Sequence, residues 1–174
     1  SGAGDVNGDG IGDLVVGAYN DAPNGNGSGA AYVIFGATSG FGATFNPATL
    51  NGTNGFTLNG GAAADNAGRA LASAGDFNGD GYLDIIVGAP HYDSGHTDEG
   101  RVFVWHGSPD GLCSGSGTCG ANWTAESNQA GAGLGYSVAR AGEQTGLAQK
   151  KLSKRMPVAA RRSRLGVAIS LLPA

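Results

Sequence analysis

Asp5-Val6-Asn7-Gly8-Asp9-Gly10-Ile11-Gly12-Asp13-Leu14-Val15-Val16-Gly17-Ala18 returns 71 positions later as Asp76-Phe77-Asn78-Gly79-Asp80-Gly81-Tyr82-Leu83-Asp84-Ile85-Ile86-Val87-Gly88-Ala89. Both copies open with D-x-N-x-D-G-x-x-D and pass at once into a run of branched apolar residues. Asp5, Asn7, Asp9 and Asp13, and again Asp76, Asn78, Asp80 and Asp84, offer oxygen side chains at loop positions 1, 3, 5 and 9. Ile11 and Tyr82, at position 7, can offer only a backbone carbonyl. Calcium accepts about six to eight oxygens in irregular geometry, so this pattern suits it. The glycine at position 6, Gly10 or Gly81, permits the bend that folds such a loop around an ion. Each empty loop carries a charge of −3 and repels itself, so ion binding and local folding are expected to be coupled. Two Ca²⁺ sites are predicted. The competing reading, a pair of Asx-rich turns that need no ion, explains less well why all four side-chain ligands recur.

A helix–loop–helix calcium site is excluded by position 12, where a bidentate Glu is needed. That position holds Val16 and Val87. The runs Leu14-Val15-Val16 and Ile85-Ile86-Val87 read as strands, not amphipathic helices. The duplication reaches well past the acids. Each Val-Gly-Ala is followed by a polar turn, residues 20–28 or 92–99. Then comes a second apolar strand, Ala31-Tyr32-Val33-Ile34-Phe35-Gly36 or Val102-Phe103-Val104-Trp105-His106-Gly107. Further strands are expected at Gly55-Phe56-Thr57-Leu58 and Ala121-Asn122-Trp123-Thr124. A third unit begins, because Leu134-Gly135-Tyr136-Ser137-Val138-Ala139-Arg140-Ala141-Gly142 echoes residues 68–75. Glu143 then stands where a first ligand belongs, and no acid follows at loop position 3 or 5.

About four short strands per unit, joined by Gly-, Asn- and Asp-rich turns, predict an all-β chain. Continuous apolar runs predict strands buried on both faces. Stacked four-stranded antiparallel sheets meet that demand: β-propeller blades, incomplete, two and the start of a third. The expected units are 1–66, 67–130 and a partial 131–142. A parallel β-helix fits less well, because its repeats are shorter.

These residues carry a family resemblance. The loop, the Gly88-Ala89-Pro90 element (degenerate as Gly17-Ala18-Tyr19), Leu134-Gly135 and the repeat spacing resemble the FG-GAP repeats of integrin α-chains and of many secreted bacterial proteins. The resemblance covers residues 1–142. It implies a propeller whose calcium loops brace one face and whose exposed loops bind ligands, in a ring of seven blades where complete. It further implies a noncatalytic extracellular region of a cell-adhesion or ligand-recognition protein. Its partners would be a protein or glycan ligand and the remaining blades. The alternative it leaves open is an accessory propeller beside a secreted enzyme, such as a phospholipase or other hydrolase.

Charge narrows the partners. Residues 1–149 hold Arg69, Arg101 and Arg140 against all 14 acids, a balance of −11, while residues 150–174 hold seven basic residues and no acid. An acidic body excludes nucleic acid as its ligand. The basic segment 143–174 is set outside the predicted fold. It can be read as a patch for an anionic surface. It reads more simply as the product of a shifted reading frame, because the language changes where a third acidic loop is due. Leu165–Leu172 is too short to span a bilayer. Cys113 and Cys119, in a Gly/Ser-rich loop, fit a small disulfide of an exported protein, with two free thiols the alternative. The chain opens inside a repeat and without a signal peptide, which reads as a piece of a longer exported protein.

Catalytic patterns are weak. Gly135-Tyr136-Ser137-Val138-Ala139 lacks the last glycine of a nucleophile elbow. His91 and His96, near Asp93, Asp98 and Glu99, read as a solvated loop, since the matching turn of the first unit has no His. Trp105 and Trp123 read as packing residues.

Overall fold

The computed structural model describes residues 1–112 and 120–140, with the backbone of 168–170. Strands β1 (Gly2–Gly4), β2 (Asp13–Ala18), β3 (Ala30–Ile34) and β4 (Gly55–Asn59) form one antiparallel sheet in chain order. Strands β5 (Ala70–Gly75), β6 (Asp84–Ala89), β7 (Arg101–Trp105) and β8 (Trp123–Glu126) repeat it. Strand β9 (Ser137–Ala139) begins a third unit beside β5 and β6 and pairs antiparallel with β10 (Ala168–Ser170). The rest of the basic segment, and Cys113 and Cys119 with their expected bridge, lie outside the described residues.

The branched runs form the inner strands, and glycines shape where they end. Gly4 and Gly75 take φ of +79° and +76° where the β1–β2 and β5–β6 registers shift. This is left-handed backbone, open to glycine, at a bulge that bends each first strand into its acidic loop. The two sheets stack, and the stacking relation recurs. A parallel bridge joins Gly29 to Ala67, and its counterpart joins Gly100 to Leu134. Gly17 lies against the Gly68 carbonyl as Gly88 lies against that of Gly135, and a Cβ at either glycine would strike backbone. Stacked, unclosed, four-stranded antiparallel sheets are the incomplete propeller blades that the repeat pattern predicts.

One core lies between the sheets, where Val15, Val33, Phe35, Phe56 and Leu58 meet Ile85, Val87 and Trp105. A second, on the far side of the second sheet, joins Ala74, Ile86, Val102 and Val104 to Leu134 and Val138 of the third unit. All six residues of β6 are therefore buried. The first sheet departs from the expectation of two buried faces. Val15 is fully buried, but Leu14 and Val16 are 44% and 42% exposed. The reason is positional: among the described residues nothing packs on the outer face of β2, whereas β6 has a neighbour on each side.

Candidate metal centre

The acidic loops link β1 to β2 and β5 to β6, at the same end of each sheet. Their internal geometry is nearly superimposable. Asp5 Oδ1 accepts the N–H groups of Gly8 (2.7 Å) and Asp9 (3.1 Å), and its Oδ2 accepts that of Gly10 (3.0 Å). Asp76 does the same for Gly79, Asp80 and Gly81 at 2.6, 2.9 and 3.0 Å. Asn7 Oδ1 accepts from Asp9 N and its Nδ2 donates to Asp9 Oδ2; Asn78 and Asp80 repeat the pair. Ile11 and Tyr82 donate their N–H groups to Asp9 Oδ1 and Asp80 Oδ1, at 2.7 and 2.9 Å. Loop positions 1, 3, 5 and 7 are thus tied together by hydrogen bonds within each copy.

The ninth residue behaves differently. Asp13 is buried, and Asp84 is wholly so. Asp13 Oδ2 accepts from Val6 N (2.8 Å) and Oδ1 from Gly36 N (2.9 Å). Asp84 repeats this with Phe77 N (2.6 Å) and Gly107 N (2.8 Å). Each therefore ties its loop to the glycine two residues past the third strand of its sheet. Burial pushes both carboxyl pKa values up. For Asp13 the N–H groups of Gly36 and Val6 oppose that rise, and the charges of Asp9 and Asp5 add to it. For Asp84 the N–H groups of Gly107 and Phe77 and the nearby His106 oppose it, and Asp80 adds to it. Of the acids in each loop, only the ninth is buried.

The donor set is hard and all-oxygen, which fits calcium and disfavours softer ions. Among the described residues no three His, Cys, Asp or Glu side chains stand together in a group that could hold a metal ion. The oxygens of loop positions 1, 3 and 5 are instead engaged by N–H groups of their own loop. The roles of Gly36 and Gly107 are absent from the sequence reading. Their recurrence after Phe35 and His106 is the signal that marks them.

His91 Nδ1 lies 2.9 Å from Asp98 Oδ1, with both side chains part-exposed. His96 Nδ1 is 3.4 Å from Glu99 Oε2. Glu99 itself is fully buried, which corrects the expectation of a solvated loop at that residue. It fills the place of Ser28, also fully buried. The cause is the following glycine, Gly29 or Gly100, which bridges to the next unit and encloses the side chain before it. Ser137 sits in β9, not at a strand-to-helix turn. Trp105 is in the core, as expected; Trp123 is 40% exposed, with its ring 5.5 Å from that of Phe77. An open cavity of about 630 Å³ lies between the sheets beside the first loop, lined by Asn7, Phe35, Asn51, Thr53 and Asp110 among others. Among the described residues, no helix is long and apolar enough to cross a membrane.

The profile of the FG-GAP repeat family matches residues 1–34 and 67–105, each of which contains one acidic loop and the strands after it. Both segments are FG-GAP repeats. Human integrin alpha-6 is 41% identical over 110 residues, covering 62% of this chain and 8% of that protein. Drosophila melanogaster integrin alpha-PS2 is 39% identical over 114 residues, covering 62% and 7%. Mouse phosphatidylinositol-glycan-specific phospholipase D is 40% identical over 114 residues, covering 64% and 13%. The FG-GAP region of this chain therefore corresponds to a small part of each of these longer relatives.

Proposed function

We propose that this chain is a noncatalytic, extracellular, calcium-binding propeller region of a cell-adhesion or ligand-recognition protein. The observation that carries the reading is the duplicated loop. In both copies, the same oxygen side chains recur at positions 1, 3, 5 and 9. Asp5, Asn7, Asp9, Asp13 and the Ile11 carbonyl would hold one Ca²⁺; Asp76, Asn78, Asp80, Asp84 and the Tyr82 carbonyl would hold the other. A bound cation would offset three clustered carboxylates per loop and favour the ionised form of the buried ninth acid. Its role would be structural, since neither loop brings a general base to an open coordination position.

The repeats would be organised as units 1–66, 67–130 and 131–142, with 143–174 outside these units. The loops would carry a protein or glycan ligand. Further blades of the same repeat would cover the outer face of β2, where Leu14 and Val16 stand exposed. Extracellular placement rests on the integrin relatives and on calcium, which is plentiful outside cells.

Calcium titration by calorimetry tests the reading. The unaltered chain should bind two ions, and Asp9→Ala and Asp80→Ala should each remove one. A folded chain that binds no calcium would overturn it. The second reading, an accessory propeller region of a secreted hydrolase, is favoured by the phospholipase relative. It keeps both calcium sites and predicts a hydrolase motif in sequence flanking the repeats.

A further inference from the structure

We propose that the two loops bind calcium cooperatively, with Tyr82 and Leu83 as the coupling residues. This rests on the calcium reading above and adds an energetic link between its two sites.

The loops are not independent bodies. Leu83 N–H donates to the carbonyl of Asp5 at 3.3 Å. Asp5 is the first ligand of the first loop, and Leu83 sits between Tyr82 and Asp84, the seventh and ninth of the second. The Leu83 side chain fills the space that glycine leaves at Gly4, and the Tyr82 ring lies against Gly8; a Cβ at either glycine would collide with them. A second connection runs through the main chain. Asp13 Oδ2 holds Val6 N–H (2.8 Å), and the Val6 carbonyl holds Ser108 N–H (3.1 Å). The adjacent Gly107 N–H is held by Asp84 Oδ1 (2.8 Å). The ninth ligands of both loops are therefore joined by three hydrogen bonds through Val6, Ser108 and Gly107.

The energetic consequence follows from these contacts. An empty loop of charge −3 repels itself and gains order when an ion fills it. Calcium in the second loop fixes residues 82–84, and with them the donor and the ring that rest on the first loop. The first loop then has less freedom left to lose when its own ion arrives, which is positive cooperativity. Linkage makes the effect reciprocal, with the same factor in both directions.

Calorimetry on the single-site variants reads the coupling. In Asp80→Ala the remaining first site should bind about fivefold or more weakly than in the unaltered chain. In Asp9→Ala the remaining second site should weaken by the same factor. Tyr82→Ala keeps the position-7 carbonyl and removes the ring, so both sites should fill with reduced coupling; Tyr82→Phe should restore it. A readout apart from affinity is the exchange rate of the Leu83 amide. In Asp80→Ala, calcium added to the first loop should slow that exchange. Unchanged affinity of each remaining site, with no slowing at Leu83, would overturn the coupling and leave two independent calcium sites. Absence of calcium binding by the folded, unaltered chain would overturn both readings together.

Discussion

Asp84 and Asp9 belong to the same type of loop and do different work. Asp84 is fully buried and accepts two backbone N–H groups, from Phe77 and Gly107. Asp9 is exposed, and its contacts stay within its own loop. Removing Asp84 strands two donors, one of them buried; removing Asp9 returns its partners to water. A buried donor left unsatisfied costs about 1–3 kcal/mol. In chelator, where no ion contributes, Asp84→Ala should therefore lose about 2–4 kcal/mol of unfolding free energy. Asp9→Ala should lose less than about 1 kcal/mol. Urea denaturation of both variants checks this. Equal losses would mean that the ninth acid is not a structural tie. The calcium titration then reads the role they share, since each substitution should also cost its loop an ion.

Strands β2 and β6 show what the sequence could and could not disclose about elements. Leu14-Val15-Val16 and Ile85-Ile86-Val87 are equally branched and equally apolar, and both are strands. Pattern alone places them, and the spacing of Gly36 and Gly107 closes the strand that follows. The acidic loops were legible for the same reason, since a rare residue pattern occurs twice. Burial of the outer face was not legible, because it depends on whether another sheet is present. The place of Glu99 was also hidden. A charged residue in a polar turn looks solvated until the bridge at Gly100 is seen to enclose it. Val16 and Val87 give a matched test, being the same residue at the same repeat position. Val87 is 1% exposed, and Val87→Ala should cost about 2 kcal/mol. Val16 is 42% exposed, and Val16→Ala should cost about 0.5 kcal/mol or less. Equal costs in chemical denaturation would mean that the face of β2 is covered in solution.

That outcome connects to the behaviour of the whole molecule. Repeat sheets bury their faces against neighbours, and arrays of fewer than about three units are poorly stabilised. Two unclosed sheets leave Leu14 and Val16 on one outer face. Isolated chains are therefore expected to self-associate through it. Electrostatics opposes this, because the full chain carries a net charge of −4. Like-charged bodies repel over about 10 Å at 0.1 M salt and over less as salt rises. Association should thus strengthen with ionic strength, the reverse of a contact built on ion pairs. Two bound calcium ions would remove four units of negative charge and act in the same direction at low salt. Sedimentation of the chain across concentration, at low and high salt and with and without calcium, reads all three effects. The double variant Leu14→Glu, Val16→Lys should keep the circular dichroism of the unaltered chain and sediment as a monomer throughout. An unaltered chain that stays monomeric in every condition would show that the outer face of β2 tolerates water. Association unchanged in the double variant would move the contact elsewhere on the molecule.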